Sequence, residues 1–327
     1  MSLDRIKKFI PTLTSKLHKG SLGRICIIGG CKDYTGAPYF SGMSALRCGS
    51  DLVHIVTTES ASIPIKCYSP DLMVHSYLPE LEGKKNLLVK GVLPENVSEL
   101  LNKMNCLCIG PGLGRSRISQ EFLCSIIKHA RSVKLPICID ADGLWAVKNN
   151  LGCIQGYRNA ILTPNHPEFV RLYKNAFACD PNMENLEQSV QKLSNKLGNV
   201  TILKKGRIDF ISNGVISLKG QIQASNRRVS GQGDILSGCA AVLLSWALKS
   251  IQQENKETIN NLNKDELENS KLNGLISDLI PLAALGASAI TRRANFLAHK
   301  KIGRSIITSD ILSYVGKSFD ELFTNKF

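Results

Sequence analysis

From Arg24 to Lys204, short apolar runs alternate with longer segments of helical periodicity, and this rhythm leaves few folds open to the chain. The runs Arg24–Ile28, Leu52–Thr57, Leu72–Ser76, Asn105–Ile109, Ile137–Asp140, Ala160–Thr163 and Val200–Lys204 are near-continuously apolar, as strands covered on both faces must be. A 3.6-residue period predicts helices at Pro38–Cys48, Ile118–Arg131, Leu144–Asn149 and Glu184–Leu197, with two more at Ile235–Leu248 and Leu282–Leu297. Strands linked by helical crossovers build a mostly parallel sheet between two helix layers. After Lys204 the rhythm changes: Ile208–Ser212 and Val215–Leu218 flank Asn213-Gly214, a pair suited to the two positive φ angles of a tight turn. The sheet is therefore expected to end in an antiparallel hairpin. Ser250–Asn273 is rich in Asn, Glu, Lys and Gln without a steady period, and reads as an exposed loop or frayed helix inserted between two core helices. With 43% hydrophobic residues, one domain spanning 1–327 accommodates all of these elements.

The formal net charge of +14 favours anionic partners such as nucleotides and phosphates. Nucleic acid is not an expected partner, because aromatics are only 6% of the chain and the basic residues are scattered rather than set in stripes. Most of the eleven cysteines sit in apolar runs such as Cys106-Leu107-Cys108-Ile109, which reads as reduced thiols in an intracellular, cytoplasmic protein. No CxxC pair or Cys/His cluster at zinc spacing occurs. Met1–Gly20 lacks the apolar core of a secretory signal, and Asp4 with the scarcity of arginine weighs against a mitochondrial presequence. Leu279–Ile290 is too short to span a bilayer, so no membrane partner is expected.

In open parallel sheets ligands bind at the C-terminal ends of the strands, which directs attention to the loops. Ser230-Gly231-Gln232-Gly233-Asp234-Ile235-Leu236-Ser237-Gly238 runs directly into an apolar helix. Glycines there let backbone approach a ligand closely, and the free N–H groups of the first helical turn form an anion site. Asp234 either caps this helix or serves as a base that takes the proton of a hydroxyl attacking a γ-phosphoryl group. The helix dipole is expected to hold its pKa low. Gly110 to Arg115 reads GxGxG rather than the GxGxxG of a dinucleotide fold, a poor fit to a Rossmann dehydrogenase. Asp140 and Asp142 are tempting as a metal pair, but Asp142 before Gly143-Leu144 reads as a helix N-cap and Asp140 as a strand-end acid. Tyr34–Tyr39 could close over a substrate, or the small residues Ser41, Gly42 and Ala45 could simply allow close helix packing.

Six segments, in order, resemble the ATP-dependent NAD(P)H-hydrate dehydratases of the ribokinase-like superfamily. They are Tyr34-Thr35-Gly36-Ala37-Pro38-Tyr39, Gly110 to Arg115, Asp140-Ala141-Asp142-Gly143-Leu144, Thr163 to Phe169, Lys205 to Asp209, and the GQGD turn at Gly231–Asp234. The resemblance implies a three-layer α/β/α sandwich with a mostly parallel central sheet and an antiparallel edge hairpin. It implies dehydration of the S-epimer of hydrated NADH or NADPH (NADHX, NADPHX), with ATP rather than ADP as donor and Mg2+ carried largely on ATP phosphates. In such a family Gly112, Asn165, His166, Pro167, Glu168, Phe169, Val170, Arg171 and Asp234 contact the hydrated nucleotide. Lys205, Gly206, Arg207, Ile208 and Asp209 contact ATP. So do Ala224, Ser225, Asn226, Arg227, Arg228, Val229, Ser230, Gly231, Gln232 and Gly233, with the N–H groups of Gly231 and Gly233 and the Asp234 carboxylate as catalytic groups. Ser230 departs from the glycine that many members carry there. A homo-oligomer is compatible with the resemblance. Two rivals are a kinase of the same fold acting on a vitamin precursor or sugar, and a basic nucleic-acid-binding protein on a retired enzyme scaffold.

Overall fold

The computed structural model describes residues 2–80, 93–261 and 268–324. In chain order the elements are α1 (Ser2–Lys7), β1 (Arg24–Ile28), α2 (Gly36–Cys48), β2 (Leu52–Thr58), α3 (Glu59–Tyr68), β3 (Met73–Leu78), α4 (Glu95–Asn102), β4 (Cys106–Ile109) and α5 (Arg117–Ser132). There follow β5 (Ile137–Ile139), α6 (Asp142–Asn149), β6 (Ala160–Leu162), α7 (His166–Phe177), α8 (Leu186–Lys196) and β7 (Thr201–Lys204). The last are β8 (Asp209–Ser212), β9 (Ser217–Gly220), α9 (Gln232–Asn261), α10 (Glu268–Ile302), α11 (Thr308–Ser313) and α12 (Val315–Phe323).

Nine strands form one sheet in the order β3-β2-β1-β4-β5-β6-β7-β8-β9, parallel from β3 to β7 and antiparallel from β7 through β9. The parallel part is buried on both faces because side chains alternate. Ile25 and Ile27 enter the core shared with α2, α9 and α10, whereas Cys26 and Ile28 enter the core shared with α4 to α8. Each fully buried isoleucine on these strands contributes roughly 1.5–3 kcal/mol, so a one-residue slip of register would exchange the two cores and is strongly disfavoured. Six of the cysteines are buried and all eleven are free thiols.

The order of strand addition reverses between the parallel neighbours β1 and β4, and the loops after them interlock there: the Gly30 N–H donates to the Pro111 carbonyl at 3.0 Å. On the opposite layer α9 lies in the core. Its segment Gln232–Gln253 is long and apolar enough to cross a membrane, yet 83% of that window is buried inside the protein. Gly238 permits this packing, since a Cβ there would fall 2.1 Å from the Ser41 carbonyl oxygen of α2. Ser41 thus serves close packing of α2 on α9, whereas Gly42 lies against the side chains of Leu72, Val53 and Ile55, and Ala45 is fully buried.

Several expectations are corrected. Asn213-Gly214 does not make a two-residue turn: only Gly214 has positive φ, +85°. The Asn213 carboxamide instead accepts the N–H groups of Val215 and Ile216, giving a four-residue loop closed by the Ser212–Ser217 pair. For Ser250–Asn273, expected as loop or frayed helix, the helical alternative describes most of the backbone, because α9 continues to Asn261 and α10 begins at Glu268. Glu, Lys and Gln are good helix formers even without an apolar stripe; residues 262–267 of that segment lie outside the described residues. Asn165 caps α7 and His166–Arg171 form its first turns, a helix not among those expected. Glu59–Tyr68 is a helix despite Pro64, which sits near the middle of this ten-residue element.

Candidate active site

The loops after β5, β6 and β7 bring three side chains to the start of α9. Asp140, one residue beyond β5 and 1% exposed, accepts a hydrogen bond from Thr163 Oγ1 at 2.8 Å and pairs with Lys205 Nζ at 2.7 Å. Gly233, on the first turn of α9, lies over this pair: a Cβ there would stand 3.4 Å from Lys205 Nζ and 3.7 Å from Asp140 Oδ2. The N–H groups of Gly231, Gly233 and Asp234 have no hydrogen-bond partner among the described residues, as the first turn of a helix requires. Gly231 has φ +87°, a conformation glycine adopts at no steric cost, and its Cβ would collide with Thr308 of α11 at 2.9 Å. The Thr308 hydroxyl in turn donates to the Ser230 carbonyl, so a C-terminal helix clamps the turn.

Electrostatics decide what Asp234 can do. Burial disfavours its charge, the Asp140 carboxylate disfavours it further, and Lys205 only partly offsets both, so its pKa is raised to about 8. This reverses the expectation of a low pKa from the helix dipole. A dipole end is worth about half an elementary charge, and here desolvation together with a whole negative charge outweighs it. The Asp234 carboxylate makes no side-chain hydrogen bond or ion pair among the described residues. Lys205 responds in the complementary direction: burial opposes its charge, but Asp140, Glu168 and Asp234 together carry its pKa above the usual lysine value.

Beside the cluster lies a cavity of about 390 Å³. Lys205, Gly206, Arg207, Asp209, Ala224, Arg228, Val229, Gln232 and Gly233 line it, as does Asn165. Ile208, Ser225, Asn226, Arg227, Ser230 and Gly231 do not line it but belong to the two segments that frame it. Sequence reasoning missed the wall that α10 supplies: Leu236 of α9 aside, the further lining residues are Ser288, Thr291 and Arg292. Arg292 donates to Asp209 Oδ2 through Nε at 2.9 Å, pairs with Oδ1 at 2.8 Å, and donates to the Gly206 carbonyl at 2.8 Å. Asn295 accepts the Ser225 N–H at 2.8 Å. The polar residues Ser288, Thr291, Arg292 and Asn295, spaced i, i+3, i+4, i+7 within the mostly apolar stretch Leu279–Leu297, were the available signal.

The remaining expected positions divide by location. Asn165 and Glu168 form a reciprocal capping box at the start of α7, with Glu168 accepting the Asn165 N–H at 2.8 Å and the Asn165 carboxamide accepting the Glu168 N–H at 3.0 Å. Burial pushes the Glu168 carboxyl above the usual range, against the opposing charge of Lys205. His166 and Pro167 are exposed, Val170 and Arg171 half-buried, and the Phe169 ring is fully buried in the core. Gly112 has φ +62° and packs against Tyr34 and Ala37 at the entrance to α2, outside the lining of the cavity. Asp142 is not the N-cap of α6; Ala141 holds that place with φ +48°, and the Asp142 carboxylate accepts the Gly114 N–H at 2.9 Å and pairs with Arg115 at 3.0 Å. It therefore anchors the glycine loop, while Asp140 joins the charged cluster.

Against known proteins, a family model described as NAD(P)H-hydrate dehydratase matches residues 25–280. The chain is 40% identical over 319 residues to the ATP-dependent (S)-NAD(P)H-hydrate dehydratase of Rattus norvegicus, covering 98% of this chain and 84% of the relative. It is 39% identical to that of Arabidopsis thaliana, covering 97% and 84%. Among solved structures, a ribokinase-like protein from Enterococcus faecalis superposes with a TM-score of 0.70 at 19% identity, over 99% of this chain and 96% of the other. The ADP/ATP-dependent NAD(P)H-hydrate dehydratase of Bacillus subtilis, crystallised with ATP and Mg2+, gives 0.64 at 18% identity over 97% of each chain. At such identities the structures establish the ribokinase-like fold, and the sequence matches establish the kinship: this chain belongs to the NAD(P)H-hydrate dehydratase family.

Proposed function

We propose that the chain restores NADH and NADPH from their S-configured hydrates in an ATP-dependent dehydration that releases ADP and phosphate. The observation that carries this reading is an Asp234 carboxyl raised to about 8 beside unpartnered helix N–H groups and a cation-lined cavity. A base whose pKa lies near working pH is partly ionised there and still strong enough to accept a proton as it is released.

The chemistry follows from the substrate. Hydroxide leaves a reduced nicotinamide ring poorly, whereas phosphate leaves well. Asp234 takes the proton of the ring hydroxyl as that oxygen attacks the γ-phosphorus of ATP, and the bond to the β,γ-bridging oxygen breaks to give ADP. The ring nitrogen then donates its lone pair, the carbon–oxygen bond to the new phosphate breaks, and loss of a ring proton restores the reduced nicotinamide. The free N–H groups of Gly231 and Gly233 would stabilise the transferring phosphoryl oxygens, with Lys205 as the nearby cation. Among the described residues no group of three or more His, Cys, Asp or Glu side chains is placed to hold a metal ion. Magnesium, carried on the ATP phosphates, would neutralise their charge beside Lys205 and the Asp140–Asp234 acids.

The test is Asp234→Asn, with folding verified, in an assay that follows reduced nicotinamide and free phosphate together. Turnover is expected to fall about 10²-fold or more. Turnover above about a tenth of wild type would exclude Asp234 as the base, and a phosphorylated product in place of free phosphate would mark a kinase instead.

A further inference from the structure

The turn before α9 gives one of its carbonyls to a residue far along the chain. In a helix extended back by one residue, the Ser230 carbonyl would accept the Asp234 N–H, four positions on. That N–H has no partner among the described residues, and the first such bond of α9 runs instead from the Ile235 N–H to the Gly231 carbonyl at 3.2 Å. The Ser230 carbonyl accepts the Thr308 hydroxyl in its place. Thr308 is 5% exposed and opens α11, between Ile306 and Ile311, which are both fully buried in the core; the Asp310 carboxylate holds the same turn by accepting the Ile307 N–H at 2.8 Å. The hydroxyl is thus delivered from a fixed segment. The rest of the side chain presses on the next residue, since Thr308 Cγ2 and Oγ1 would each lie 2.9 Å from a Cβ on Gly231.

This contact governs two donors at once. A trans peptide is planar, with its C=O and N–H on opposite edges, so tying the Ser230 carbonyl to α11 turns the Gly231 N–H of the same peptide away from α11. A glycine tolerates φ of either sign, and a flipped Ser230–Gly231 peptide would present a carbonyl, the negative end of the dipole, to an incoming phosphate. Engaging that carbonyl also keeps it from capturing the Asp234 N–H, and it polarises the peptide so that the Gly231 N–H becomes a stronger donor. We propose that Thr308 is a positioning residue for phosphoryl transfer: its hydroxyl holds the Ser230 carbonyl and so keeps the Gly231 and Asp234 N–H groups free for the transferring oxygens. The inference rests on the proposed function, which sets the phosphoryl group at this turn.

The test compares wild type with Thr308→Val, which keeps the branched shape and removes the hydroxyl, and Thr308→Ser, which keeps the hydroxyl. Thr308→Val is expected to lower kcat for NADHX about 10²-fold, the scale of one lost oxyanion donor, with KM for ATP and for the hydrate little changed. Thr308→Ser should recover most of that loss. Wild-type kcat in Thr308→Val, a rise confined to KM, or equal losses in the two variants would overturn the proposal. A spectroscopic arm reads the peptide directly. Carbon-13 in serine carbonyls and nitrogen-15 in glycine together isolate Ser41-Gly42, Ser230-Gly231 and Ser237-Gly238, the Ser-Gly pairs of the chain. On addition of ADP, Mg2+ and aluminium fluoride, a mimic of a phosphoryl group in transfer, the Ser230-Gly231 signal should move in wild type and stay in place in Thr308→Val. No movement in wild type, or the same movement in both, would overturn the role of Thr308. Should wild type turn over no hydrate, the functional reading fails, and this spectrum alone decides the role of Thr308.

Discussion

Two buried acid–cation pairs flank the cleft, and they are wired differently. The Asp209 carboxylate is saturated: it accepts the Gly206 N–H at 2.8 Å, Ser288 Oγ at 2.6 Å and Arg292 Nε at 2.9 Å, and pairs with Arg292 Nη2 at 2.8 Å. The Asp140–Lys205 pair is set beside a second carboxyl, Asp234, whose charge the single lysine offsets only in part. A saturated pair fixes backbone, in this case the 205–209 loop against α10. A crowded one leaves a proton that moves at little cost. Position and reactivity are thus provided by two networks that share neighbouring residues, Lys205 and Gly206, but not the same acids.

Perturbing each network separately should give different signatures. The largest effect is expected from Arg292→Met, which strands Asp209 in a buried position. Unfolding free energy should drop by about 3–5 kcal/mol and KM for ATP should rise, while the pH profile stays in place. Calorimetric melting and initial rates across pH check both halves. An Arg292→Met profile displaced along the pH axis would show that the networks are not separate.

Lys205→Met comes next, with a loss in kcat/KM of about 10²-fold, or ~2.7 kcal/mol. Because Lys205 lowers the Asp234 pKa, the residual activity should also need a higher pH. Asp234→Asn is expected to act in the opposite sense on stability. The folded-state pKa of Asp234 is raised above its unfolded value, to about 8, so the folded state binds the extra proton between about pH 4 and pH 8. Wild type consequently loses stability as pH rises through that window. The asparagine variant should gain on it by about 1–3 kcal/mol at pH 8, a figure discounted for solvent screening, as denaturant titrations at pH 5 and pH 8 would register. The smallest displacement of activity belongs to Asp140→Asn, although leaving Lys205 without its 2.7 Å partner should also lower stability. Removing the neighbouring negative charge should move the pH-dependent limb of kcat/KM down by about one unit, or ~1.4 kcal/mol.

What was legible beforehand follows the range of the interactions. Strands such as Arg24–Ile28 and the glycine turn before α9 are specified by residues within a few positions; the strand stands where expected, and α9 begins at Gln232, three residues ahead of the expected Ile235. The start of α7 was local too: the Asn165–Glu168 capping box followed by Phe169, Leu172 and Tyr173 could have been read as a helix. Other features were beyond local reading. Arg292 and Asp209 are 83 residues apart in sequence, and no local pattern pairs them. The Asp234 shift comes first from burial in the folded molecule and then from Asp140, 94 residues away by numbering (234 − 140). The Asn213-Gly214 turn misled for a different reason: the Asn213 side chain bonds its own backbone two and three residues on, and so lengthens the loop.

Carboxyl carbon NMR of aspartate-labelled protein, titrated from pH 4 to pH 10 and repeated on Asp234→Asn, reads the proton itself. One resonance should titrate near pH 8 in wild type and vanish in the variant. If every aspartate has ionised by pH 5, Asp234 holds no proton near neutral pH, and the division of labour between the two networks is wrong.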